Sequence, residues 1–269
     1  VHKVVNTEKV SKNTGGFVEK VETVRAADTC LRVLERIAFA DSPMGVTQIA
    51  AEVGIAKGAV FKHLRTLMEH GMVTQDSVTS HYALGPKLWL IAQRAPTGQN
   101  LSQIALPLMR ATRDELGVAV VLSVPTTRSA FVVATLPSNQ PIEIGVRPGG
   151  ELSLHSSAQG KVLLAFGPKE ILESLPETLP QITPKSVTQR SELVKQVEAI
   201  KERGYASAPE ESLLGINAVA APIFDNSGQL LGSIGLIASI QHLRAEPSKA
   251  QLAALLALTK AIGQRAGHR

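Results

Sequence analysis

The apolar residues of this chain fall into two kinds of pattern, helical stripes first and strand-like runs later. From Ala26 to Ala40, the positions Ala27, Leu31, Leu34, Ile37 and Ala38 recur at helical spacing, with Cys30 beside them as a small buried hydrophobe. Asp41-Ser42-Pro43 breaks that helix. A shorter helix fits Thr47 to Val53, with Ile49, Ala50 and Val53 on one face. Gly54 stands where a left-handed residue closes a helix. A third helix is expected from Lys57 to His70, stopping at Gly71. Its apolar face is Val60, Leu64, Leu67 and Met68, and Lys57, Gly58, Phe61, Lys62 and Arg65 lie opposite. Val73 to Leu84 then alternates around a polar tip at Asp76 to Ser80, the pattern of a two-stranded wing. Pro86 suits the first turn of one more helix, Lys87 to Ala95, with Leu88, Trp89, Ile91 and Ala92 apolar. Pro96 to Asn100 reads as a linker.

Beyond it, a helix is expected over Leu101 to Leu116, then strands over Val118 to Val124, Ala130 to Leu136 and Ile142 to Val146. A helix starting near Ser157 carries Val162, Leu163, Leu164 and Phe166, and another runs from Ser191 to Arg203 and ends at Gly204. Strands Ala218 to Phe224 and Gln229 to Ala238 are joined by Asp225-Asn226-Ser227-Gly228, a hairpin signal. A last helix spans Ser248 to Gln264. The mixture argues an α+β fold rather than a doubly wound sheet. The expected organisation is a flexible polar tail over 1–24, a DNA-binding unit over 25–85, a linker helix and linker over 86–100, and a second domain over 101–269.

Composition narrows the function classes. The formal charge is +5, which permits a polyanionic partner without requiring one. Cys30 is the only cysteine, so no intramolecular disulfide and no thiolate cluster for a metal can form. The seven histidines show no metal-ligand spacing with acidic partners, so no metal or cofactor is expected. The longest apolar run, Leu230 to Ile240, is too short to span a bilayer, and the first residues lack a hydrophobic signal-peptide core. A cytoplasmic location with no membrane partner is the expectation.

Two helices joined by a tight glycine turn, the second with a basic outer face, form the pattern of a helix-turn-helix. Such a recognition helix buries one face and offers the other to the major groove. Lys57, Lys62 and Arg65 are therefore candidates for phosphate or base-edge contact, with Phe61 placed to pack on a thymine methyl or to cap an edge of the domain's own core. Gly58 lets the helix N-terminus approach the DNA backbone, and Thr47 and His81 flank the same surface.

These segments, above all VTQIAAEVGIAKGAVFKHLRTLMEHGMV from Val46 to Val73 and HYALGPKL from His81 to Leu88, resemble the IclR family of bacterial regulators. In the second domain the resemblance continues through LSLHSSAQGKVLLAF (Leu152 to Phe166) and IKERGYASAPEESLLGINAVAAPIFDNSG (Ile200 to Gly228). It covers nearly the whole chain. It implies a winged helix-turn-helix, a linker helix and a C-terminal PAS/GAF-like effector-binding domain. It also implies dimers or tetramers on palindromic promoter DNA. One departure is that Ala56, Gly58 and Ala59 stand where the family commonly has Pro and small hydroxyl residues, so phosphate contacts from those hydroxyls are absent.

The resemblance places the effector between the helix starting near Ser157 and the two hairpin strands. Family members that bind very small keto acids use acidic, thiol and hydroxyl side chains at positions matching Ala208, Ala218, Gly235 and Ile237, all apolar or bare here. An organic acid with an apolar or aromatic body is the expected effector. Its carboxylate would meet the backbone N–H groups of Ala158 and Gln159, with His155, Ser156 and Asn217 fixing its orientation. Enzyme chemistry is poorly served. There is no Gly-x-Ser-x-Gly elbow, and the stretch up to Gly160-Lys161 lacks the upstream glycine and the following hydroxyl of a phosphate loop. The adjacent pair Glu210 and Glu211 suits a structural or solvated role. The alternatives are a ligand-independent architectural DNA binder, against which the large, nearly neutral second domain counts, and, less favoured, an enzyme with an appended DNA-binding domain.

Overall fold

The computed structural model describes residues 24–94, 98–140 and 144–267; residues 1–23 of the expected tail, 95–97 of the expected linker and 142–143 of the expected strand lie outside them. The first unit is built from α1 (Arg25–Ala38), α2 (Val46–Val53), α3 (Lys57–Glu69), β1 (Val73–Gln75) and β2 (Tyr82–Leu84). Val33, Ile37, Ile49, Val53, Val60, Leu64, Leu67 and Tyr82 form its core. β1 and β2 pair antiparallel as the wing, and Asp76 Oδ1 accepts the Val78 and Thr79 backbone N–H groups at its tip. α4 (Pro86–Ala92) follows, with Pro86 at its start and no buried residue.

The inward face of α1 is rotated from the expected one. Val33 and Ile37 are buried, whereas Leu31 is 57% exposed. α1 packs against both α2 and α3, and the side turned to them carries Val33, Ile37 and Cys30 rather than Leu31. Met68 likewise lies at the rim of α3, outside the buried set Val60, Leu64 and Leu67.

The second unit is a six-stranded antiparallel sheet between helices. Its elements are α5 (Gly98–Leu116), β3 (Ala119–Pro125), β4 (Ser129–Leu136), β5 (Glu151–Ser153), α6 (Ala158–Phe166), α7 (Lys169–Glu173), α8 (Arg190–Arg203), β6 (Ala206–Ser207), β7 (Ile216–Phe224), β8 (Leu230–Ser239) and α9 (Lys249–Ala266). The strand order is β5-β4-β3-β8-β7-β6. α5 and α9 cover one face through Val120, Leu122, Val219, Ile223, Ile234 and Leu236. α6 and α8 cover the other. This is the α+β, PAS/GAF-like architecture expected of the second domain.

Alternation explains which residues face where, since successive side chains of a strand point to opposite faces. β3 is apolar on both faces because both are covered, and Ser123 is the one polar residue in its run. Asp225 accepts hydrogen bonds from Ser227 and Gln229 N–H, closing the β7–β8 hairpin where the sequence placed it. The expected strand over Ile142 to Val146 is not formed in its described part; the strand lies later, at β5. There the Thr135 hydroxyl, rather than a ladder partner, bonds Val146 O (2.5 Å), and Pro148-Gly149 makes a turn. β6 and α7 are too short for periodicity to reveal.

Among the described residues, Phe39 makes contact between the units. Phe39, at the end of α1, meets Phe131 of β4 edge to face at 6.2 Å. Its ring also lies over Gly149, where a Cβ would sit 2.5 Å from it.

Close backbone packing of α9 on β7 sets a stability prediction. A Cβ at Gly263 would fall 2.0 Å from Phe224 O, so Gly263→Ala forces backbone apart, whereas Gly58 on α3 has open space around it. Gly263→Ala is expected to lower unfolding stability by about 1–3 kcal/mol. Gly58→Ala is expected to raise it by about 0.5–1 kcal/mol through helix propensity. Urea denaturation of both variants checks the signs, and a stabilised Gly263→Ala protein contradicts this packing.

Candidate DNA interface and effector pocket

The helix-turn-helix depends on the junction between α2 and α3. Gly54 adopts φ 76°, a left-handed conformation that glycine enters without strain. Its N–H and that of Ile55 both return to Ala50 O, tightening the turn. Arg32 Nη2 donates to Val53 O (2.9 Å), and Arg36 pairs with Glu52, so α1 is tied to α2. Burial of Val60, Leu64 and Leu67 then turns the opposite side of α3 outward.

On that outward side Lys57, Gly58, Phe61, Lys62 and Arg65 are all exposed, Phe61 at 49%. Among the described residues, no ion pair engages Lys57, Lys62 or Arg65. Ala56, the residue before the helix, supplies no side-chain cap, and while Ala59 N–H turns back to Ala56 O, the Lys57 and Gly58 N–H groups face an approaching anion. Thr47 is exposed at the start of α2. His81 is partly buried at the foot of the wing, its Nδ1 at 3.0 Å from Thr79 O, with Gly45 beside its ring.

The second candidate site centres on α6. Every residue from Ala158 to Ala165 is buried. Ser157 caps the helix, its Oγ accepting from Gly160 N (2.9 Å) and donating to Ser153 O (2.6 Å). Gly160 is required for this seat, because a Cβ there would lie 2.2 Å from Ser153 O. Lys161, wholly buried, donates to Glu211 Oε1 at 2.5 Å. The glycine-lysine pair thus serves packing and an internal ion pair rather than phosphate binding. Burial pushes the Lys161 ammonium down and the Glu211 carboxyl up, and their mutual attraction opposes both shifts.

Ala208, Ala218, Gly235 and Ile237 lie on the sheet face turned to α6, as strand alternation requires. Gln159 projects from α6 onto them. Its Nε2 donates to Ser123 Oγ (2.6 Å) and Val121 O (3.2 Å), and its Oε1 fills the space left by the missing side chain of Gly235. Ser233, opposite Ser123 across the β3–β8 ladder, is buried with no partner for its hydroxyl. Ser156, just before the helix, is in the same condition, and Ala158 follows it at the first helical position.

Two candidates stand apart from this group. Asn217 is adjacent to Ala218 and so points to the opposite sheet face, where its Nδ2 donates to Arg244 O (2.7 Å). His155 uses both ring nitrogens internally, Nε2 at 2.8 Å from Pro180 O and Nδ1 at 2.9 Å from Ser153 Oγ. The carbonyl can only accept, so Nε2 carries the proton and Nδ1 accepts from the serine. Ser123 and Ser233 escaped the sequence reading because they interrupt otherwise apolar strands at one position each.

A family model described as the IclR helix-turn-helix domain matches residues 26–77, and one described as the bacterial transcriptional regulator IclR C-terminal domain matches residues 93–264. The chain belongs to the IclR family. IclR-type relatives include the glycerol operon regulatory protein of Streptomyces coelicolor, 29% identical over 84% of this chain and 88% of its own. The regulator BhcR of Paracoccus denitrificans is 30% identical over 79% of this chain and 77% of its own. The fold matches an IclR homologue of Microbacterium hydrocarbonoxydans complexed with 4-hydroxybenzoate, with TM-score 0.72 and 21% identity, covering 88% of this chain and 97% of that one. It also matches the Thermotoga maritima IclR, with TM-score 0.66 and 24% identity over 91% of this chain and all of that one. This chain is therefore a transcription regulator with a helix-turn-helix and a C-terminal ligand-binding domain. Among the described residues, no helix is long and apolar enough to cross a membrane, and no cluster of side chains could hold a metal.

The buried His155 gives this IclR-type domain a pH dependence. Desolvation holds its imidazole below the usual histidine range, with nearby Lys161 acting in the same direction and the bond to Pro180 O opposing. The unfolded chain then binds the proton first, so stability falls as pH drops below about 6.5 and levels off beneath the folded-state value. Comparing urea midpoints of the parent and His155→Asn between about pH 7.5 and pH 5.5 isolates this linkage, and the variant is expected to be the less pH-sensitive. Equal slopes contradict a buried neutral histidine.

Proposed function

We infer that this regulator binds a palindromic promoter site as a dimer or tetramer, reads it with α3, and releases or grips it in response to a small aromatic or apolar organic acid. The observation that carries the DNA part is the outward face of α3, which has three exposed unpaired cations beside an uncapped helix N-terminus. Lys57, Lys62 and Arg65 suit phosphate and base-edge contact, Gly58 close approach, and Phe61 a thymine methyl. Thr47 and His81 extend that surface at its margins. A promoter-binding function implies a cytoplasmic location.

Self-association has its own support. Trp89 is 62% exposed on α4, with Leu90 and Ile91 exposed beside it. An apolar helix with no buried residue is covered in an assembly, and a second copy of the same helix is the partner the family architecture suggests.

For the effector, the wall formed by Ala208, Ala218, Gly235 and Ile237 offers a ring or chain apolar contact worth about 25 cal/mol per Å². Ala158 and Gln159 N–H groups at the start of α6, with the unpartnered Ser156 hydroxyl, suit its carboxylate. The polar floor of Ser123, Ser233 and the Gln159 amide suits a hydroxyl at the far end of the ring. 4-Hydroxybenzoate, held by the Microbacterium homologue, has that combination. Gln159 swings aside to admit it. His155 and Asn217 act from behind, one bracing the turn before α6 and the other the strand carrying Ala218. The loop with Ile144, Val146 and Gly149 covers the same apolar cluster and touches Phe39, giving a route from pocket to reading head. Ligand then shifts the balance of reading-head arrangements through its unequal affinity for them.

Electrophoretic or anisotropy titration of the chain's own promoter fragment tests the reading head. Lys62→Ala and Arg65→Ala each weaken binding, and a lost phosphate contact lowers the slope of log K against log salt by about 0.9. Parental affinity in both variants at physiological salt rules out α3 as the recognition helix. Calorimetry with benzoate-type and glyoxylate-type acids tests the pocket; tight glyoxylate binding with no response to an aromatic acid contradicts it.

A further inference from the structure

A cavity of about 300 Å³ opens at the β6 edge of the sheet, away from the α6–β8 pocket. Gln196, Ala199 and Arg203 form one wall, spaced i, i+3 and i+7 on a single face of α8. Ser207 of the edge strand, with Pro209 and Glu211 of the loop that follows, forms the other. Its chemistry is uneven in an informative way. Glu211 is buried and its Oε1 belongs to Lys161, while Oε2 has no hydrogen-bond partner of good geometry, although Val187 N–H lies near enough to steady the carboxylate. The Gln196 amide oxygen is also buried without a partner. Arg203 donates its Nε–H to Tyr205 O (2.7 Å) and lies over the Tyr205 ring, 4.7 Å from its centroid. No ion pair among the described residues engages it, which leaves the outer fork of its guanidinium toward the cavity.

Charge decides what fits. Arg203 is close enough to press on the Lys161 ammonium, and against these two cations stands the single Glu211 carboxylate. A carboxylate is attracted to such a site, and a planar guanidinium fork is the group best shaped to receive it. The unpartnered acceptors on Gln196 and Glu211 then need a donor from the same ligand, since a buried acceptor left unpaired is costly. Two hydroxyls supply one donor each without adding positive charge, whereas an ammonium would be repelled by Arg203 and Lys161. A volume near the low end of ligand pockets limits the molecule to a few carbons.

We propose that the cleft between α8 and β6 is a second ligand site, distinct from the effector pocket, that binds a small dihydroxy carboxylic acid through Arg203, with one hydroxyl donating to Gln196 Oε1 and another to Glu211 Oε2. The site lies on the far end of the Lys161–Glu211 pair from α6, so its occupant touches the same carboxylate that anchors the effector helix.

Calorimetry of the full chain with glycerate and tartrate tests this, with propionate, succinate and serine as comparisons. Glycerate or tartrate is expected to bind. Arg203→Ala and Gln196→Leu each weaken that binding at least about tenfold. Arg203 is exposed and Gln196 lies outside the core, so both variants remain folded, and a cooperative thermal transition in each separates lost binding from lost structure. Ser156→Ala, in the other pocket, leaves the hydroxy-acid affinity unchanged. The proposal is overturned if neither hydroxy acid binds, if both cleft variants bind like the parent, or if Ser156→Ala removes the binding. Propionate, succinate or serine binding as tightly as glycerate and tartrate overturns the hydroxyl assignment and with it the site as described.

Discussion

A short helix buried from Ala158 to Ala165 is the constraint from which the second domain follows. Burying a helix on all sides leaves its polar atoms no water, so each has to find an internal partner. Ser157 caps the first turn, Gln159 reaches the backbone of β3, and Lys161 finds Glu211. The carboxylate must in turn be held in place. Thr183 and Ser186 donate to the Glu210 and Glu211 carbonyls at 2.7 Å each, fixing the loop that presents it. Gly160 permits the close seat against Ser153 that makes this possible. Such an ion pair adds little net stability over apolar packing, but losing one partner strands a buried charge and costs about 3–5 kcal/mol. It fixes the position of α6 more than it strengthens the fold.

That fixed helix is what gives the proposed effector face its character. The wall of Ala218, Gly235 and Ile237 is smooth, and the polar groups gather at the start of α6 and at Ser123, Ser233 and Gln159. The reading unit obeys the opposite rule. Its core is closed by Val33, Ile49, Val60 and Leu64, and among the described residues no ion pair engages Lys57, Lys62 or Arg65 on its surface. A protein that neutralised Lys62 or Arg65 internally would have less to offer DNA phosphates. The Phe39 contact with Phe131 and Gly149 brings the end of α1 against the strand and loop beside the effector face.

Much of this was legible in the sequence where local rules govern. Gly54, the stripe of Val60, Leu64 and Leu67, and the Asp225 to Gly228 turn announce themselves because their signals span a few residues. Orientation was harder. Leu31 is apolar yet turned outward on α1, and periodicity alone cannot say which apolar residue of a wide stripe meets the core. Asn217 looked like a pocket residue because it neighbours Ala218, but one step along a strand reverses the face. The strand expected before Val146 gave way to β5 because a side-chain hydrogen bond and a turn took up its backbone. Lys161 and Glu211 are 50 positions apart, so nothing in either neighbourhood reveals the pair. The unpartnered hydroxyls of Ser156 and Ser233 become visible only once burial is known.

Occupancy of the proposed effector face between α6 and the sheet is expected to change the affinity of α3 for DNA. Fluorescence anisotropy of a labelled promoter fragment, titrated with the chain in the absence and presence of saturating 4-hydroxybenzoate, measures that coupling in one experiment. A coupling free energy in the usual allosteric range changes the DNA dissociation constant by about 5-fold or more. A dissociation constant that stays the same with the pocket saturated contradicts the account.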